Sequence, residues 1–159
     1  MSRLYDLRYL TMAALAAAVM FAEVSFAAHP VYRAQVGGPA IDGYDTVAYF
    51  TLGHAVRGSA EFQYEWRDTT WYFANADHLA MFVENPERYA PQFGGYCSYA
   101  ASRGRLYKGH PEVFTIQDGR LYFNNTSSIE ELWLEDRSSY IDAAKRFFPE
   151  LIGENQSRP

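Results

Sequence analysis

Glu61-Phe62-Gln63-Tyr64-Glu65-Trp66, followed by Arg67-Asp68-Thr69 and then Thr70-Trp71-Tyr72-Phe73-Ala74-Asn75, decides the fold. Phe62, Tyr64 and Trp66 alternate with Glu61, Gln63 and Glu65, and a period of two places the aromatic side chains on one face of a half-buried strand. Residues 67–69 are polar turn chemistry, and residues 70–74 return as a second aromatic-rich strand. The unit is a hairpin. Asn75 then has the oxygen needed to cap a helix over residues 76–84, whose Leu79, Met81, Phe82 and Val83 supply an apolar face. Asn85-Pro86 repeats the start signal, a cap followed by a first-turn proline, for a short helical turn that carries Tyr89.

The same logic extends to both sides. Upstream, Asp45 is placed to cap an apolar turn over residues 46–50, with Gly53 as its stop. Downstream, Gly94-Gly95 breaks the chain, and residues 96–103 read as a short helix ended by Gly104, with Cys97 in its first turn. Residues 113–117 and 120–124 flank Asp118-Gly119, the strongest short hairpin signal in the sequence. Ser127 and Glu130 have capping-box spacing and open a helical region with Ile129, Leu132 and Trp133 facing inward, which breaks near Ser138 and resumes to Phe148. No internal repeat is visible. The expectation is one small α+β domain of antiparallel hairpins packed with several short helices.

The ends read differently. Arg3 and Arg8 precede a largely apolar stretch of about 14 residues, shorter than the roughly 20 a membrane-crossing helix needs. Small residues at Ser25 and Ala27 complete a signal peptide's order, so residues 1–27 are expected to be removed after Ala27 on export to the periplasm or medium, with no stable membrane span. Residues 28–39, with Pro30, Gly37, Gly38 and Pro39, read as a linker, residues 40–152 as the domain, and residues 153–159 as a disordered tail. A net charge of −5 and the lack of a Lys/Arg-rich run argue against nucleic acid as a partner. Aromatic residues make up 17% of the chain, enough to supply a small core with large buried area and still line a groove.

Taken together, Asp42-Gly43-Tyr44-Asp45-Thr46-Val47-Ala48-Tyr49-Phe50, Trp71-Tyr72-Phe73-Ala74, Asn85-Pro86-Glu87-Arg88-Tyr89 and Gly94-Gly95-Tyr96-Cys97 make the chain resemble an exported single-domain YHS-domain protein over most of residues 40–149. The resemblance implies a YHS-like fold in which Gly43, Tyr44, Asp45, Gly94, Gly95 and Tyr96 are structural motif residues. YHS domains occur in some copper-transporting ATPases and beside oxygenase components. Their metal-binding members place two cysteines four apart after the second hairpin strand, where this chain has Ala74 and His78.

Chemistry concentrates on Cys97, the single cysteine. A lone thiol in an oxidising compartment forms no internal disulfide, which leaves it packed in the core, bound to a metal or ligand, reactive, or paired with another chain. A first-turn position favours thiolate. A metal at Cys97 requires further ligands, and His78, His54 and His110 are the candidates; otherwise these are ordinary surface or half-buried histidines. His29 reaches the amino terminus only if cleavage follows Ala28. There is no Cys-x-x-Cys, no His-x-x-x-His, no nucleophile elbow and no phosphate loop. The leading expectation is a non-enzymatic binding module of the cell envelope holding a soft metal ion, Cu(I), or a small ligand near Cys97. A thiol-redox accessory or enzyme using Cys97, and an interaction domain docking on an envelope partner, stay open beside it.

Overall fold

Residues 28–153 are described in the computed structural model; the signal-peptide reading of residues 1–27, and all but the first residue of the expected tail, lie outside the described residues. The hairpin forms as its alternation dictates. Strand β1 (Ser59–Glu65) pairs antiparallel with β2 (Thr70–Phe73), Tyr64 opposite Trp71. Arg67 and Asp68 turn it with φ of 51° and 53°, the pair of left-handed residues that matches strand twist. Phe62, Tyr64 and Trp66 pack on the core while Glu61, Gln63 and Glu65 stay exposed.

Helix α1 (Ala48–Thr51) precedes the hairpin, and α2 (Ala76–Glu84) and α3 (Pro86–Tyr89) follow it. The expected caps are in place: Asn75 Oδ1 accepts the His78 N–H at 2.8 Å and Asn85 Oδ1 that of Arg88 at 3.1 Å. On α2, Phe82 is sealed at 0% exposure, its ring 5.0 Å from that of Trp71 and 4.9 Å from that of Phe73. Burial of one such side chain contributes about 1.5–3 kcal/mol, so the aromatic richness of the sequence is the core.

Helix α4 (Ser98–Ser102), strands β3 (Phe114–Gln117) and β4 (Arg120–Phe123), and helices α5 (Ser127–Glu135) and α6 (Arg137–Leu151) complete the fold, an α+β arrangement with two separate two-stranded sheets. Asp118 and Gly119 turn the second hairpin with φ of 51° and 69°. Among the described residues, no helix is long and apolar enough to cross a membrane.

The order of elements repeats, although no repeat is visible in the sequence. A 3-10 turn at Ala40–Gly43 follows Pro39 and ends when the Tyr44 N–H bonds the Ile41 carbonyl; a second at Gln92–Gly95 follows Pro91 and ends when the Tyr96 N–H bonds the Phe93 carbonyl. Both carry a left-handed pair inside, Ile41-Asp42 and Phe93-Gly94. Each tyrosine then makes an isolated antiparallel bridge, Tyr44 to Arg57 and Tyr96 to Lys108. In each set come a short helix, a hairpin with a left-handed two-residue turn, a capped nine-residue helix, and a further helix capped by the next side chain, Asn85 or Asp136. The two turns meet: a Cβ on Gly95 would strike Ile41, and Lys108 Nζ pairs with Asp42 Oδ2 at 2.8 Å. What repeats is backbone conformation and cap position, with little more than Pro, Gly-Tyr and Tyr-Phe shared in side chains, so residue identity does not display it.

Four local expectations need correction. Cys97 is the residue before α4, not inside its first turn, because Tyr96 and Cys97 are held extended in bridges to Lys108 and Phe123. Helix α5 is capped by Thr126, whose Oγ1 accepts the Ile129 N–H at 3.2 Å, and Glu130 instead accepts from the hydroxyl of Thr115 on β3. Leu132 is 41% exposed because Trp133, at 0%, takes the inward position. The break between α5 and α6 falls at Asp136, where its side chain caps the new helix. Residues 28–39 form no helix or strand, yet they dock: Tyr32 N–H bonds the Gly94 carbonyl at 2.8 Å, and Val31 is buried.

Candidate functional site

The repeat builds two equivalent places, one around Asp45 and one around Cys97. Each residue directly follows the tyrosine that ends its turn, and each backbone N–H is anchored alike, Asp45 to the Val56 carbonyl at 2.9 Å and Cys97 to the Tyr107 carbonyl at 2.8 Å. The residue after each, Thr46 or Ser98, buries a hydroxyl with no protein partner among the described residues.

In the first place, the chain fills its own site. Asp45 is fully buried; Oδ1 accepts the Val47 and Ala48 amides at 2.8 and 3.2 Å, and Oδ2 accepts the Ala74 amide at 2.8 Å. The same Oδ2 lies 2.6 Å from His78 Nδ1, and His78 Nε2 lies 3.1 Å from the Thr51 hydroxyl. Hydroxyl, imidazole and carboxylate stand in the order of a hydrolase triad. The Thr51 hydroxyl, however, also bonds the Val47 carbonyl at 3.2 Å, and His78 is only 7% exposed, so the chain of bonds ties α1 to the start of α2. Ala74 and His78, the positions where the family resemblance implies metal ligands, are thus both committed to Asp45.

In the second place, the equivalent residues part. His78 is the third residue after the Asn75 cap; Ile129 is the third after the Thr126 cap. Thr51 is the sixth residue after Asp45; Arg103 is the sixth after Cys97. Cys97, Arg103, Ile129 and Tyr107 line a cavity of about 460 Å³ that opens to solvent. Buried Cys97 and Ala100 form its inner end, and exposed Arg103, Arg105 and Tyr107 its outer one, with Tyr99 and Asn125 completing the walls. The Cys97 sulfur lies 3.6 Å from Asn124 Oδ1 and 3.8 Å from Asn125 Oδ1. Burial pushes the thiol up from its ordinary value, while hydrogen bonds from the Ala100, Asn125 and Tyr99 backbone pull it the other way without cancelling the shift. A thiol held neutral is a poor nucleophile and a poor metal ligand at neutral pH.

The sequence-derived histidines lie elsewhere. None of His54, His78 and His110 lines this cavity. His54 Nδ1 bonds the Leu52 carbonyl two residues back, and His110 Nδ1 accepts the Glu112 N–H. Among the described residues, no three of His, Cys, Asp and Glu come together to hold a metal ion, and what faces the sulfur is neutral amide oxygen, a donor suited to hard cations rather than to Cu(I). The residues present do not fit a copper centre. At Gly94 φ is 60°, and a Cβ there would run into the Pro30 carbonyl.

Sequence reading did not find Arg103, Arg105, Tyr107, Asn124 or Asn125. Their only local signal is two arginines and a tyrosine in a loop without a nearby acidic residue, in a chain that is acidic as a whole. Compared with known proteins, the chain matches no family model, no curated protein and no solved structure.

Proposed function

We propose that the protein is a non-enzymatic binding module of the cell envelope, exported by its leader, that holds a small organic ligand in the cleft above Cys97. The observation that carries the reading is the cavity itself. At about 460 Å³ it has the size of a small-molecule site, and it combines apolar and aromatic walls with a few convergent polar groups. The export half of the reading is supported by the basic, apolar, small-residue order of residues 3–27 and not by the fold. A small molecule is favoured over Cu(I), because the sulfur faces amide oxygens and its thiol is held neutral.

The test is a ligand-observed NMR screen of a fragment set, repeated on Ile129→Trp, which fills the cleft from its half-exposed wall. Fragments that bind the wild type and lose their signal with the filled variant support the reading. Hits that bind both proteins equally place the ligand elsewhere and overturn it, as does a screen without hits.

A further inference from the structure

The first repeat shows what its architecture accommodates when occupied. There the planar ring of His78 spans from the buried Asp45 carboxylate to Thr51, with contacts of 2.6 and 3.1 Å. In the second repeat the residue at the same step from its cap is aliphatic Ile129, and it lines the cavity. The residue at the Thr51 position has become Arg103, and Arg105 lines the same cavity two residues on. Neither arginine has an acidic partner among the described residues, and the two stand together in one cavity. No residue lining the cavity is acidic, although the chain carries a net charge of −5. Two guanidinium groups without a carboxylate, set in a cleft between Tyr99, Tyr107 and Ile129, call for an anion attached to a flat apolar body. A bare inorganic anion would satisfy the arginines and leave the aromatic walls unfilled.

We infer that the cleft takes a small planar carboxylate, its flat body in the space that the His78 ring occupies in the first repeat and its carboxylate held by Arg103 and Arg105. This rests on the small-ligand reading of the same cleft and narrows it to one chemical class. Guanidinium and carboxylate match as two parallel N–H···O bonds, formed at the exposed outer end of the cleft while the flat body reaches toward its buried inner wall.

Benzoate, its neutral isostere benzamide, and sulfate are the probes, followed by ¹H–¹⁵N correlation spectra of the full chain. Benzoate should shift the Cys97, Tyr99 and Asn125 amides saturably and bind about tenfold more tightly than benzamide, the equivalent of about 1.4 kcal/mol. Arg103→Gln with Arg105→Gln should lower benzoate affinity about tenfold while changing that of benzamide much less, so that the preference for benzoate is lost; both side chains are exposed, and the spectra themselves report whether the fold persists. If benzamide binds the cleft as tightly as benzoate, the carboxylate inference is overturned while the small-ligand reading stands. Sulfate producing the same shifts at the same affinity as benzoate would overturn the planar body. If none of the three probes moves the cleft resonances, the inference fails, and the broader reading is then decided by the fragment screen with Ile129→Trp.

Discussion

The Asp45 carboxylate lies 2.6 Å from His78 Nδ1, with both side chains buried and three backbone amides converging on the same carboxylate. One side chain therefore satisfies the start of α1, the end of β2 and the ring of α2 at once. Asp45→Ala leaves the Val47, Ala48 and Ala74 amides and the His78 ring without their acceptor. It should cost about 3–5 kcal/mol, the range for removing one partner from a buried, hydrogen-bonded pair. Asp45→Asn retains one acceptor oxygen and should cost less. Urea denaturation of the three proteins checks this; equal midpoints for wild type and Asp45→Ala would mean the network is not structural.

Two glycines separate backbone strain from steric collision. A Cβ on Gly119 meets no atom within 4 Å, so Gly119→Val is opposed only by the left-handed backbone, φ 69°, and should cost about 1 kcal/mol or more. Gly94→Ala has a smaller left-handed backbone penalty, φ 60°, but drives a methyl into the Pro30 carbonyl, which adds about 1–3 kcal/mol and breaks the docking of residues 28–39. Thermal melts should rank Gly94→Ala below Gly119→Val, and limited proteolysis should cut only the former near Val36. The reverse order would remove the steric argument.

Alkali should unfold the protein through groups that keep their protons when folded. Burial raises Tyr49, Tyr96, Tyr122 and the Cys97 thiol above their ordinary values of 10.0 for tyrosine and 9.0 for cysteine. Above those values the unfolded chain gives up protons that the native state retains, so the native state binds more protons and stability falls as pH rises. The stabilising contribution is fully present below about pH 9 and is lost upward from there. Tyr49, whose hydroxyl donates to the Pro111 carbonyl at 3.0 Å, dominates. Tyr49→Phe should lose about 1 kcal/mol at neutral pH and show a shallower alkaline decline. A denaturation midpoint independent of pH between neutrality and about pH 11 would contradict the burial of these groups.

Hairpins and caps were legible because their causes are local: the alternation of residues 61–66, the Asp118-Gly119 turn, and the oxygens of Asn75 and Asn85 act within a few residues. Thr126 and Ser127 are both good caps, and the Glu130 that favoured Ser127 is claimed by Thr115 from another element, which no local pattern reveals. The site was legible at Cys97 alone. Arg103, Arg105 and Tyr107 acquire meaning only when β4 and α5 bring Asn125 and Ile129 against them. The histidines were singled out for their chemistry, but chemistry does not report position; His78 turned inward to Asp45, while His54 and His110 bond their own loops.

The repeat itself predicts an unusual tolerance. Burying a carboxylate in place of a thiol ordinarily costs several kcal/mol, because the charge leaves water without compensation. At Cys97 the Tyr99, Ala100 and Asn125 backbone groups already face the sulfur, as the Val47, Ala48 and Ala74 amides face Asp45, and Arg103 lines the same cavity. Cys97→Asp should therefore fold, at a cost of about 1–3 kcal/mol, because the Asn124 and Asn125 Oδ1 atoms also face this position and the backbone groups only partly offset burial. Adding Ile129→His supplies the ring at the His78 position. The double variant should exceed the sum of the single changes by about 1 kcal/mol or more, as coupled buried pairs do. Chemical denaturation of wild type, both single variants and the double variant closes the cycle. A loss above about 4 kcal/mol for Cys97→Asp, or a coupling of zero, would show that the two places share their backbone path but not the environment it builds.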